Sequence, residues 1–329
     1  MTPKILVAPR DLQTLEARYR PLLEAAGYVV EYPIPSVANQ PTPSELQDAL
    51  AGVVAVIAGS ETYSAELFDA FPKLRVVARV GVGYDAVDIP AATARGVAVT
   101  ITPGLNHESV AEHAFGMILA FTRQIANHTH EIRRGGWPRN RSLPIRGKTI
   151  GLAGLGRIGQ AMVVRANAFR MRVLAYDPLP DRAFCEANNV TLLSFDELLS
   201  QSDFLSLHLP LTEPTRHLMN RETFAKMKSG AVLVNTSRGG LVCEVDLVEA
   251  LESGQVGAAL LDVFEQEPPP QNHPLFAFDN VIFTPHAAGV DVQSLGDMAC
   301  SAAESAIAIL RGEWPAEKIV NPAARNRQP

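Results

Sequence analysis

The chemistry this chain can perform is concentrated in three glycines, one acid and a few polar residues at the ends of apolar runs. Gly154, Gly156 and Gly159 satisfy the spacing G-x-G-x-x-G, entered by the apolar run Thr149–Ala153 and left by a helix-forming run. The first glycine permits a tight turn, the second lets the backbone approach a pyrophosphate, and the third lets a helix pack on its strand. The amides of Arg157 and Ile158 then stand at a helix N-terminus, where free N–H groups and the helix dipole favour phosphate. A second apolar run ends in Asp177, eighteen residues beyond Gly159. A carboxylate there accepts hydrogen bonds from ribose hydroxyls and repels a 2′-phosphate, which favours NAD over NADP. Strand, turn, helix and acid in register make a dinucleotide site a far more specific reading than the glycines alone.

Three further polar residues follow apolar runs of the same half of the chain. Arg238 follows Leu233–Ser237, Glu267 follows Leu261–Gln266, and His286 follows Phe283–Pro285. Ligands of open parallel sheets gather at such strand ends. An arginine fork matches a carboxylate and polarises an adjacent carbonyl. A histidine can exchange the proton of a hydroxyl, and a carboxylate beside it fixes the tautomer and favours the imidazolium. Together they suit a 2-hydroxy acid beside a nicotinamide. On spacing alone, Arg238 equally fits a surface charge, His286 a loop residue and Glu267 loop polarity.

These residues need a scaffold of alternating strands and helices. Val- and Ile-rich runs at Lys4–Ala8, Val53–Ala58, Arg75–Val80 and Val97–Thr102 alternate with helical patterns at Leu12–Ala26 and Pro43–Leu50, the latter preceded by Pro41. Such alternation means βαβ units and a parallel sheet. Ser109–Ile125 reads as one long helix, capped by Asn106 or by Ser109 with Glu112 in a capping box. Arg133–Pro144, with Trp137 and four arginines, reads as a loop. A second set of six strands follows: Thr149–Ala153, Val173–Asp177, Asp203–Leu209, Ala231–Thr236, Ala258–Val263 and Val281–Thr284. A final helix spans about Leu295–Leu310 and has no strand of its own. The fold expected is α/β, with two Rossmann-like doubly wound parallel-sheet domains and a cleft between them. The last helix returns to the first domain. Residues 1–101 plus 288–329 then form a discontinuous substrate domain, and residues 102–287 form the NAD-binding domain.

At 329 residues, 47% hydrophobic and 19% charged, the chain can build a large core and is not disordered. A net charge of −6 offers no basic footprint for nucleic acid or an anionic membrane. The N-terminal segment reads as a strand rather than a signal peptide, and no apolar stretch approaches a membrane span. Cys185, Cys243 and Cys300 are odd in number and widely spaced, which implies reduced thiols and a cytoplasmic setting. There is no His-Glu-x-x-His and no cysteine pair, and His128 and His130 point to different helix faces, so no metal is expected. Ser237 lacks a G-x-S-x-G elbow, which removes a hydrolase.

The chain resembles the D-isomer-specific 2-hydroxyacid dehydrogenases, the family of D-3-phosphoglycerate dehydrogenase and of glyoxylate/hydroxypyruvate reductases. The resemblance runs through nearly the whole chain, in the segments Val80–Asp88, Ser109–His113, Arg146–Thr149, His208–Thr212, Asn235–Gly240, Asp262–Pro268 and Thr284–Gly289. It implies that Arg238 grips the substrate carboxylate and carbonyl, that His286 is the acid/base, and that Glu267 is its partner. It implies substrate contacts from the amides of Val82 and Gly83, with Arg79 beside them. For NAD it implies His208, Leu209, Pro210 and Thr215 on the nucleotide side, with Thr236, Ser237, Asp262 and Ala288 toward the nicotinamide. Thr215 fits a turn cap as well, and Asp262 a strand-end carboxylate capping a turn. Family members are commonly homodimers, which points to Ser109–Ile125 and the Trp137 loop as the interface.

The expected activity is hydride transfer between NAD and C2 of a D-2-hydroxy or 2-oxo acid, of phosphoglycerate, hydroxypyruvate or glyoxylate type. The chain ends soon after its last helix, so an appended amino-acid-sensing domain is not expected. A formate- or phosphite-type dehydrogenase of the same fold, or a non-catalytic NAD-sensing corepressor-like protein, are the alternatives.

Overall fold

The computed structural model describes residues 2–33 and 42–327, so Pro41 lies outside the described residues. The chain divides into two compact units, Met1–Asn106 with Val290–Pro329, and His107–Gly289. The boundaries fall where a helix starts at His107 and just after the loop carrying His286.

The first unit holds β1 (Lys4–Val7), β2 (Val29–Glu31), β3 (Val53–Ala58), β4 (Val76–Arg79) and β5 (Ala98–Thr100), all parallel, in the order β2-β1-β3-β4-β5. Strand β2 escapes the sequence reading because it is three half-exposed residues at a sheet edge. Both faces of the sheet are covered, as parallel sheets require. One face packs on Leu46, Leu50, Tyr63 and Phe68. The other meets the C-terminal helix Val292–Leu310, whose Ala299, Ala302, Ala303, Ala306 and Ile309 lie against Ile5, Val7, Ala55 and Ile57. Their spacing of three and four residues makes one apolar stripe. Small residues on that stripe let the helix lie close to the strands, and Asp291 caps its N-terminus by accepting from Gln293 N and Ser294 N.

The second unit holds β6 (Thr149–Ala153), β7 (Arg172–Tyr176), β8 (Thr191–Leu192), β9 (Phe204–Leu207), β10 (Ala231–Asn235), β11 (Val256–Leu261) and β12 (Val281–Phe283), in the order β12-β11-β10-β9-β6-β7-β8. All pairings are parallel, and the order reverses between β6 and β9. Seven strands stand where six are expected, since the two residues of β8 carry no apolar run.

The single helix expected at Ser109–Ile125 is two helices. The first is His107–Thr122, and the second, Ile125–Arg133, follows a left-handed residue at Gln124 (φ 53°). Ile125 is half exposed, so an apolar residue in phase with the pattern is not in the core. Ser109 is not the cap either. It lies inside the first helix, where its hydroxyl donates to Ala288 O (2.8 Å), and Glu112 pairs with Arg165 (3.0 Å). No described helix is long and apolar enough to cross a membrane.

Candidate active site

Strand β6 ends at the point where the strand order reverses, and the glycine turn begins there. The three glycines are required for different reasons. Gly154 has φ +102°, and a Cβ on it would sit 2.5 Å from His208 O at the end of β9. A Cβ on Gly159 would collide with Gly154 O. Packing within the protein therefore demands both. Gly156 has an extended backbone (φ −68°, ψ −165°), and a Cβ there would meet nothing within 4 Å. Its bare face is room for something other than the protein. Gly156 also caps the helix Arg157–Ala168 without offering a side-chain acceptor. The first-turn amides, including those of Arg157 and Ile158, thus keep the unsatisfied character that binds phosphate.

Asp177 closes the turn from the side. Its Oδ2 accepts from Leu155 N (2.7 Å) and its Oδ1 from Leu179 N (2.8 Å). Each oxygen of a carboxylate has a further lone pair, so ribose hydroxyls can still be accepted. The ends of β9 and β10 carry two buried polar atoms with no partner among the described residues, His208 Nδ1 and Thr236 Oγ1. Leaving such atoms unpaired costs about 1–3 kcal/mol each, so they mark a place where a ligand belongs. His208 Nε2 lies 2.9 Å from Ser206 Oγ, and burial pushes its imidazole down to about 4, so the ring is neutral near pH 7. The bare glycine, the helix N-terminus and the two orphaned atoms fit a dinucleotide. Leu209 is buried and Pro210 exposed. Thr215 spends its hydroxyl locally, donating to Pro210 O (2.7 Å) and accepting from Thr212 N (2.8 Å). That is the turn-cap role.

Strands β10, β11 and β12 deliver Arg238, Glu267 and His286. Arg238 follows β10 in an extended conformation, and its guanidinium donates to Ser237 O (2.7 Å). Asn235, buried at the end of β10, braces this segment by donating to Arg238 O (2.9 Å) and accepting from Ser237 N (3.1 Å). A Cβ on Gly239 would collide with the Phe264 backbone, so only glycine lets the Arg238 segment press against the loop that carries Glu267.

Glu267 Oε1 accepts from Phe264 N (3.0 Å), and Oε2 lies 2.6 Å from His286 Nδ1. Burial pushes the Glu267 carboxyl up. The His286 hydrogen bond and charge, the Phe264 amide and the Arg238 charge outweigh it and hold the group below the ordinary carboxylate range. His286 itself has φ +54°, a left-handed conformation that costs a non-glycine residue about 1–3 kcal/mol.

The surrounding bonds enforce it. His286 N donates to Asp262 O (2.7 Å), and the next two amides, Ala287 N and Ala288 N, donate to the Asp262 carboxylate at 2.9 Å each. The Thr284 hydroxyl donates to the same carboxylate and sits 2.9 Å from His113 Nε2. Asp262 has no exposed side-chain surface, so here it holds the His286 loop and presents nothing outward. The His286 side chain is nearly half exposed on a fixed backbone.

Sequence reasoning did not find the bracing roles of Asn235, Thr284 and His113. An asparagine closing a strand is a recognisable turn signal. Thr284 acts on Asp262, 22 residues away, and His113 reaches Thr284 from 171 residues away.

In the first unit, Arg79 at the end of β4 is buried, and its Nε donates to Gly83 O (2.9 Å). Gly81 (φ +135°) is pinned through its N–H to Thr102 Oγ1 (2.9 Å) and its carbonyl to Thr102 N (3.0 Å). The amides of Val82 and Gly83 donate to nothing among the described residues. Val82 is exposed and Gly83 half-buried on a turn held at Gly81.

Residues 115–288 match the family model of the D-isomer specific 2-hydroxyacid dehydrogenase, NAD binding domain. A glyoxylate reductase of Thermofilum pendens is 46% identical over 264 residues, 78% of this chain and 78% of that protein. A D-3-phosphoglycerate dehydrogenase of Methanocaldococcus jannaschii is 41% identical over 305 residues, which cover 91% of this chain but 56% of that longer protein. Among solved structures, the apo D-lactate dehydrogenase of Escherichia coli superposes with a TM-score of 0.85 at 28% identity, covering 97% of this chain and 99% of that one.

Proposed function

The chain belongs to the D-isomer-specific 2-hydroxyacid dehydrogenase family and binds NAD, and from that premise we propose that it reduces a small 2-oxo acid of glyoxylate, hydroxypyruvate or phosphohydroxypyruvate type to the D-2-hydroxy acid. The observation that carries this reading is the 2.6 Å contact of His286 Nδ1 with a Glu267 carboxyl held in its ionised form. With Nδ1 engaged, Nε2 is the ring atom left to exchange the substrate proton. Bound NAD supplies the hydride donor or acceptor. His286 gives a proton to the carbonyl oxygen in reduction and takes it from the hydroxyl in oxidation. Glu267 stabilises the imidazolium that donates. Arg238, braced by Asn235, holds the substrate carboxylate and polarises the carbonyl. The unengaged amides of Val82 and Gly83, with Arg79 behind the turn, are proposed as further carboxylate donors. Asp177 is proposed as the ribose acceptor, and the Gly156 face as the pyrophosphate seat.

Initial rates with NADH and NADPH against glyoxylate, hydroxypyruvate, phosphohydroxypyruvate and larger 2-oxo acids test this. The reading predicts turnover of at least one of the three small acids and a preference for NADH. A tenfold preference for NADPH, about 1.4 kcal/mol, would overturn the role of Asp177. NAD binding without turnover of any 2-oxo acid would leave a binding protein instead.

A homodimer is proposed on a separate observation. Ile125, Ile132, Trp137 and Leu143 are each more than half exposed within one stretch of the second unit, and Trp137 reaches 78%. This exposed apolar surface supports an interface there. A scattering mass equal to one chain would remove this proposal.

A further inference from the structure

Three segments of the second unit bring together ligand atoms that no linear spacing in the chain announces. His217, Cys243 and Glu265 each place one ligating atom within 4.8 Å of the others. His217 Nε2 lies 2.9 Å from Glu265 Oε1, with both side chains more than a third exposed. The backbone holds this trio in place before any ion arrives. His217 N donates to Gly240 O (2.8 Å), Met219 N to Leu241 O (2.9 Å) and Cys243 N to Met219 O (2.8 Å), so the first two ligands flank one isolated parallel bridge between Met219 and Val242. Glu265 is tied to the same place. Its N–H donates to Glu244 Oε1 (2.9 Å), whose other oxygen lies 3.0 Å from His273 Nε2.

We propose that His217, Cys243 and Glu265 form a site for a zinc-class divalent cation. A thiolate, an imidazole and a carboxylate are the donor types that zinc and cobalt(II) accept, whereas magnesium and calcium take oxygen sets. Ligand arms of about 2.0–2.3 Å in a tetrahedron put ligand atoms roughly 3.3–3.8 Å apart. The His217–Glu265 contact therefore opens by under about 1 Å when the ion enters, and the fourth position is left to water. The ion would tie together the turn after Thr215, the segment after Arg238 and the loop that ends in Glu267. Its role is to stiffen three segments that carry cofactor and substrate residues. The alternative is an ordinary histidine–glutamate ion pair with a thiol nearby.

Cobalt titration of the full chain, stripped with EDTA and desalted, reads the site without reference to turnover. One equivalent of Co2+ should bind and develop a thiolate-to-cobalt absorption band, Zn2+ should displace it, and Mg2+ should not. Zn2+ should also raise the melting temperature. Cys243→Ser should abolish the band, and His217→Ala should weaken zinc at least about tenfold, while Cys185→Ser and Cys300→Ser should keep both signals. Absence of saturable one-to-one binding by the parent chain would overturn the site, independently of how any variant folds. A band that survives in Cys243→Ser, or zinc affinity unchanged in His217→Ala, would overturn it as well.

Discussion

The glycine turn after β6 and the loop after β12 lie in the same unit and are built in opposite ways. Around the turn, groups are left unsatisfied. Gly156 faces open space, the first helical amides have no cap, and Thr236 Oγ1 and His208 Nδ1 are buried without partners. Around the loop, the groups that fix the backbone and the Nδ1 side of His286 are occupied. Asp262 accepts from Thr284, Ala287 and Ala288, Ser109 donates to Ala288 O, and Glu267 holds His286. A surface that must bind a large polar ligand keeps donors and acceptors for it. A proton-transfer group must instead be fixed in advance, because small displacements from the reactive geometry cost large factors in rate.

The contrast can be broken by substitution. The largest effect is expected from His286→Gln, which removes the proposed proton donor and leaves the turn untouched. Its kcat should fall by about 10²- to 10⁴-fold while NADH affinity, read by fluorescence titration, stays within a factor of two or so. Equal losses in both would mean the loop and the turn are not separable. Next in size, Gly154→Ala should destabilise the fold by about 2–4 kcal/mol in denaturant titration, since it combines a left-handed φ with a backbone collision.

Its counterpart Gly156→Ala should change stability by under about 0.5 kcal/mol yet weaken NADH roughly tenfold or more. Loss of stability in Gly156→Ala would show that the protein itself needs that glycine. Asp262→Asn keeps the side chain's shape but removes one acceptor from the pair that pins Ala287 and Ala288. A fall in kcat on the order of tenfold to a hundredfold is expected, with little change in KM for NADH. An unchanged kcat would mean that the left-handed His286 is held by other means.

The smallest effect concerns acid stability. The Glu267 carboxyl lies below its ordinary value of 4.5 in the folded chain, chiefly because His286 offsets the burial that raises it. Such a group stabilises the fold fully above the ordinary value and loses that contribution as pH falls through the depressed one. Melting temperatures of Glu267→Gln should therefore decline less steeply than those of the parent chain below about pH 4.5.

Much of this was legible in the sequence because it is local. The glycine turn, Asp177 at a strand end, and the alternation that sets a doubly wound sheet all depend on residues close in the chain. The short edge strands β2 and β8 were not legible, since two or three residues with half-exposed side chains leave no periodic signal. The break at Gln124 was hidden because neither glycine nor proline marks it. Ser109 and Glu112 match a capping box in sequence, but tertiary partners claim both side chains. The residues Arg238, Glu267 and His286 could be picked out, whereas the frame that aims His286 could not. Asp262, Thr284 and His113 meet only when β11, β12 and the helix His107–Thr122 have packed.

The pH dependence of kcat/KM for 2-oxo acid reduction, compared between the parent chain and Glu267→Gln, tests the central claim that His286 donates a proton with Glu267 supporting its charged form. The account predicts a maximum lowered by about tenfold or more in the variant, because the donating imidazole loses its anionic partner. Superimposable profiles would contradict it.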